Sequence, residues 1–181
     1  MVMEELFRRG IMAMGPSRHD PSSTVGVFNK DFAAQLPAIR RAGMDTLRWM
    51  AGEWDTLNTV PATSQNPAYT ETGAGSLTLC EKENWICRGR EGSQKPHITF
   101  DPFSRQYMYV LTEGAYGILR SPGWEKNWLM FSGHMTMIGV DCEWRTTLTK
   151  HSDDRFHYLN EELLSDGQWA LIDEWLFTRK K

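Results

Sequence analysis

Apolar and polar residues alternate with a period of two along most of this chain, in short runs divided by turn residues. Strand candidates on this pattern are 53–60, 68–81, 84–91, 96–101, 105–112, 115–120, 126–132, 141–150, 154–163 and 168–179. Between them stand Pro61, Gly92, Asp101-Pro102, Gly114, Pro122-Gly123, Gly133, Asp153-Asp154 and Asp166-Gly167. Asp166-Gly167 is a strong hairpin signal, because both residues tolerate positive φ. About ten strands at this spacing leave no room for the crossover helices of a parallel sheet. The pattern therefore predicts a mainly β fold, an antiparallel up-and-down barrel. Gly73 and Gly75, inside the second strand, permit a bend or bulge.

Upstream the period changes. Phe32, Leu36, Ile39, Leu47 and Met50 recur at helical spacing, with Asp31 as a cap. Pro37 and Gly43 divide this stretch into two short helical pieces, the second leading into Gly52-Glu53-Trp54. Residues 1–30 read as an arm broken by Gly15-Pro16, Asp20-Pro21-Ser22-Ser23 and Gly26, with residues 3–14 forming a short amphipathic helix. The expected division is an arm and helical extension over 1–43 and a barrel over 44–181. Leu6, Phe7, Ile11, Phe28, Phe32, Leu36 and Ile39 exceed what a closed barrel needs. The arm docks on its own barrel, moves freely, or packs on a twin subunit, for which a homodimer is the simple form.

Closing the sheet brings its first and last strands side by side. Trp54 stands in the first and Arg179 ends the last, so the guanidinium is expected to stack on the indole.

Three runs stand out in order along the chain: Leu47-Arg48-Trp49-Met50-Ala51-Gly52-Glu53-Trp54, Thr99-Phe100-Asp101-Pro102-Phe103-Ser104-Arg105-Gln106-Tyr107 and Asp173-Glu174-Trp175-Leu176-Phe177-Thr178-Arg179. Together they resemble stretches of the bacterial family DUF1579. The resemblance covers about residues 44–180. It implies a calycin-like barrel related to lipocalins, fatty-acid-binding proteins and nitrobindins, and no particular activity. One related branch binds haem through a histidine near the chain end. Gln168 to Arg179 contains no histidine, so the expectation is no haem and no other cofactor.

Composition narrows the function classes. The net charge is −3 and the basic residues are scattered, without the patch or stripe of a nucleic-acid binder. No run approaches a membrane span, and the first ten residues lack the pattern of a signal peptide. Cys80, Cys87 and Cys142 have no metal-knuckle spacing, and their odd number favours reduced thiols in a cytoplasmic protein. Eight Trp, eight Phe, five Tyr and ten Met are unusual for this length and suit the walls of an apolar pocket.

No nucleophile elbow, phosphate loop or local metal spacing is present, so no catalytic or metal residue is assigned. His97 and His157 are the two histidines flanked by strand-forming residues. Arg88 and Arg145 are candidate anchors for a ligand carboxylate. Tyr107 and Tyr109 share one strand face, and Glu174 sits in the last strand. Alternation leaves open which face of each strand lines the lumen. The candidate ligand-binding set is Arg88, His97, Tyr107, Tyr109, Arg145, His157 and Glu174, and the expected ligand is a small hydrophobic or amphipathic molecule. The alternatives are an enzyme with a His/Glu acid–base set in the same lumen, and a structural module whose lumen is filled by side chains.

Overall fold

The structure, a computed structural model, describes residues 2–20, 22–89 and 93–181; Pro21 and the Gly92 turn signal lie outside the described residues. A helix α1 (Val2–Arg8) precedes a hairpin of β1 (Met12–Pro16) and β2 (Thr24–Phe28), then helix α2 (Lys30–Asp45) and a 3-10 turn, Arg48–Met50. Ten strands follow: β3 (Gly52–Val60), β4 (Tyr69–Cys80), β5 (Trp85–Arg88), β6 (Lys95–Asp101), β7 (Gln106–Glu113), β8 (Ala115–Ser121), β9 (Trp128–Met137), β10 (Val140–Ser152), β11 (Arg155–Leu163) and β12 (Trp169–Arg179). Each pairs antiparallel with its neighbours in sequence, and β12 pairs with β3 to close the barrel. The molecule is thus mainly β, an up-and-down barrel whose helices, among the described residues, lie only at its N-terminal side.

The seam carries the expected contact. Arg179 stands opposite Trp54, with its guanidinium carbon 4.3 Å from the indole centroid. Trp54 is fully buried and donates from Nε1 to Met50 O at 2.9 Å. Together with Met44, Leu47, Met50 and Phe156 it plugs one end of the barrel. Polar bonding of the indole and apolar burial of its rings make this end solid.

The structure departs from the expected N-terminal half. Residues 3–14 are not one helix: α1 ends at Arg8, and Gly15 and Gly26 lie inside paired strands. The arm rests on the β6–β7 turn of its own barrel, where Arg9 Nη2 donates to Phe103 O at 2.6 Å and Phe28 and Phe32 contact Phe103. Asn29, not Asp31, caps α2, its Oδ1 accepting from Asp31 N and Phe32 N. α2 also runs unbroken through Pro37. The proline is solvent-exposed, and packing on either side of it, by Phe32 on Phe103 and Ile39 on the core, outweighs one missing helix bond.

Gly133 is a second departure. It lies within β9, with φ +155°, where the β8–β9 pairing skips residues, and the turn falls at residues 138–139 instead. It acts as a bend rather than a chain reversal. The thiols differ as well. Cys80 and Cys87, on the two strands of the β4–β5 hairpin, are joined as a disulfide with Cα atoms 6.1 Å apart, and Cys142 is the free cysteine. The expected reduced thiols give way here to a bond, because hairpin pairing brings the two residues within bonding reach. Among the described residues, no helix is long and apolar enough to cross a membrane.

Candidate ligand site in the barrel lumen

Opposite the plugged end, the lumen contains a cavity of about 370 Å3. Strand alternation sets its walls: Tyr109 and Leu111 from β7, Met135 and Met137 from β9, Trp144 and Thr146 from β10, Tyr158 and Asn160 from β11. Two bulges then change what alternation alone would place there. In β12, Asn160 pairs with Asp173 but Glu161 pairs with Leu171, so Ile172 is an extra residue and both Ile172 and Asp173 reach the cavity. In β6, Ile98 pairs with Ile86 but Pro96 pairs with Cys87, which leaves His97 unpaired and turns it inward beside a buried Ile98. An adjoining recess of about 290 Å3 shares Leu77, Arg88, Trp175 and Phe177 and extends along Gly73 and Gly75, which carry no side chain to fill it.

Arg88 and Glu113, the latter ion-paired with Lys95, stand on the cavity wall, and the other polar groups of the cavity fall into two sets. The first is a row across three adjacent strands. Trp144 Nε1 donates to Thr146 Oγ1 (3.1 Å), Thr146 Oγ1 to Asn160 Oδ1 (2.7 Å), and Asn160 Nδ2 to Asp173 Oδ1 (2.6 Å). Trp175 Nε1 donates to Asp173 Oδ2 at 3.1 Å. The second set lies across the lumen. His97 is buried against Tyr109, ring centroids 4.5 Å apart, and its Nε2 is 3.4 Å from Tyr158 Oη. Desolvation, then the nearby Arg88 charge, holds His97 well below its ordinary pKa, so the ring is neutral. Burial raises the Tyr109 hydroxyl, and burial and then Tyr109 raise that of Tyr158 still further. Arg88 is exposed at the cavity mouth, and no carboxylate among the described residues is within 4 Å of its guanidinium.

Of the seven candidate residues, the structure gathers Arg88, His97 and Tyr109 around this cavity and places the other four elsewhere. Tyr107 is buried toward the plugged end, its hydroxyl 2.9 Å from Thr46 Oγ1. Arg145 faces outward, forked onto Glu161 at 2.6 and 2.7 Å and lying over the Trp169 ring. His157 is also on the outer face, with Nδ1 2.7 Å from His151 Nε2. Glu174, between the inward Asp173 and Trp175, points away from the lumen. Tyr107 shares the inward face of β7 with Tyr109 but sits in the packed core at the plugged end, while Arg145, His157 and Glu174 fall on outward positions of their strands, where a polar side chain keeps its water. Trp144, Thr146, Tyr158, Asn160, Asp173 and Trp175 were not singled out from the sequence. A signal was available, since three successive strands each carry an aromatic and a short polar residue two positions apart: Trp144 with Thr146, Tyr158 with Asn160, Asp173 with Trp175. Among the described residues, no three His, Cys, Asp or Glu side chains converge as a metal site.

No protein-family model matches the chain, and no curated protein matches it. Two solved structures are similar in fold over 77% of this chain: a redesigned β-barrel (11% identity, TM-score 0.34, 96% of its own length) and Rv2717c from M. tuberculosis (8% identity, TM-score 0.43, 98% of its own length).

Proposed function

We propose that this barrel is a calycin-like binding protein of the DUF1579 type, and that its lumen holds a small amphipathic molecule. The observation that carries the reading is the 370 Å3 cavity, with aromatic and Met walls and Arg88 at its mouth. That volume is within the range of about 300–1,000 Å3 usual for ligand pockets. The apolar part of the ligand lies among Trp144, Trp175, Phe177 and Met135, and a polar end reaches Arg88. The acid–base alternative has less support, because His157 and Glu174 face outward and the neutral His97 meets a tyrosine.

Native mass spectrometry of the purified protein, followed by release and identification of any carried compound, tests the proposal. We expect a bound organic molecule that Ala115→Phe, a lumen-filling change, displaces. Binding that survives this substitution unchanged would place the ligand outside the lumen and refute the reading. A homodimer is a further part of the proposal, resting on Met14, Val25 and Phe28, which stay exposed on the β1–β2 hairpin. Light scattering of the chain with and without these three side chains decides it. The proposed cytoplasmic home would keep Cys80 and Cys87 reduced, so their state in protein trapped directly from cells bears on location.

A further inference from the structure

We infer that the molecule held in this lumen is a small aromatic zwitterion, with a nitrogen donor received by Asp173 and an anionic group facing Arg88. The inference rests on the lumen-binding reading above and follows from the direction in which the wall's protons run. An indole N–H only donates. Thr146 Oγ1 therefore accepts from Trp144, and its single proton goes to Asn160 Oδ1. This orients the Asn160 amide, turning Nδ2 toward Asp173 Oδ1. Trp175 Nε1 donates to the other carboxylate oxygen. Every proton of the row thus runs toward one carboxylate.

An ionised carboxylate accepts at about four lone-pair positions, and this row occupies two. The wall therefore offers a ligand mainly acceptor capacity. The rings of Tyr109, Trp144, Tyr158 and Trp175 line the same cavity, and such rings attract a cation within about 6 Å. Arg88 lies three strands round the barrel from Asp173, on the same cavity. Its planar fork matches a carboxylate. A fatty or purely anionic ligand would seat an apolar or like-charged surface against Asp173, which is unfavourable for a half-buried charge. A zwitterion meets both charges at once.

The test is calorimetric titration of the full chain with four probes that share a phenyl ring: phenylalanine, phenethylamine, 3-phenylpropionate and phenethyl alcohol. We expect phenylalanine to bind tightest. Asp173→Asn should weaken phenylalanine and phenethylamine by on the order of tenfold and leave 3-phenylpropionate unweakened, while Arg88→Gln should weaken phenylalanine and 3-phenylpropionate and leave phenethylamine unweakened. Binding of 3-phenylpropionate as tight as that of phenylalanine to the unmodified protein would overturn the inference. So would an Asp173→Asn protein that binds phenethylamine unchanged. The probe order in the unmodified protein decides the matter even if the Asp173 variant does not fold. Failure of all four probes would overturn this inference, while the lumen-binding reading would still be decided by the carried compound and its displacement by Ala115→Phe.

Discussion

Arg179 connects three segments through one side chain. It donates from Nη1 to Ala51 O (3.0 Å), from Nη2 to Trp49 O (2.5 Å) and Asp153 O (2.8 Å), and from Nε to Asp154 Oδ1 (2.9 Å), while lying over Trp54. Lysine keeps the charge but not the fork. Arg179→Lys should therefore destabilise the protein by about 2–3 kcal/mol in denaturant titration; a loss below about 0.5 kcal/mol would show that the fork is not what holds the seam. His97 makes a pH prediction at the same scale. Its folded pKa lies well below the ordinary 6.5, so in acid the unfolded chain binds a proton that the native state refuses. The contribution is complete above 6.5 and declines as pH falls below that value toward the folded pKa. Unfolding free energies measured from neutral pH down to about 5 should fall less steeply for His97→Gln than for the unmodified chain. Parallel slopes would show that His97 titrates alike in both states.

At the scale of elements, α2 and the β4–β5 hairpin each carry a local conflict. Pro37 removes one helix bond on an exposed face. Pro37→Ala should raise stability by about 1–3 kcal/mol, read as a higher midpoint of thermal unfolding. Gly43 acts in the opposite sense. A methyl group there would enter the ring of Phe100, on which the helix sits, so Gly43→Ala should destabilise by about 1–3 kcal/mol despite alanine's better helix propensity. If both substitutions stabilise, docking of α2 on β6 is not tight. In the hairpin, the Cys80–Cys87 bond predicts that in protein purified without reductant a thiol reagent labels Cys142 alone until reductant is added. Labelling of all three cysteines in denatured, unreduced protein would exclude the bond.

The whole molecule depends on closure. β12 is the last strand and the one that meets β3, and Phe177 on it stacks on Phe156 at 4.4 Å beside the buried Trp54. Removing residues 177–181 deletes this ring and Arg179 together and exposes two strand edges. We expect the shortened chain to lose cooperative unfolding and to aggregate, observed by calorimetry and light scattering. A sharp unfolding transition would mean that β4–β11 hold the fold without the seam. Closure also shapes the cavity, because β12 supplies Asp173, Trp175 and Phe177 to its wall.

What the sequence determined by itself was the strand succession. A period of two interrupted by turn residues is a local property, so the ten strands, the Asp166-Gly167 turn and the meeting of Trp54 with Arg179 were all legible from it. Arg88, His97 and Tyr109 were named among the candidates, but the wall opposite them was not. Alternation states that two faces exist without stating which is inside. That choice is made by the closed barrel, together with the bulges at His97 and Ile172, which shift the inward positions by one residue. The same holds for the unbroken α2 and for the hairpin disulfide. A proline's local penalty is offset by contacts with residues far along the chain, and two cysteines become bonding partners only once their strands are paired. Local chemistry decides where each element runs. Only packing between distant segments decides which side chains meet in the lumen, because burial depends on neighbours that no single stretch of sequence contains.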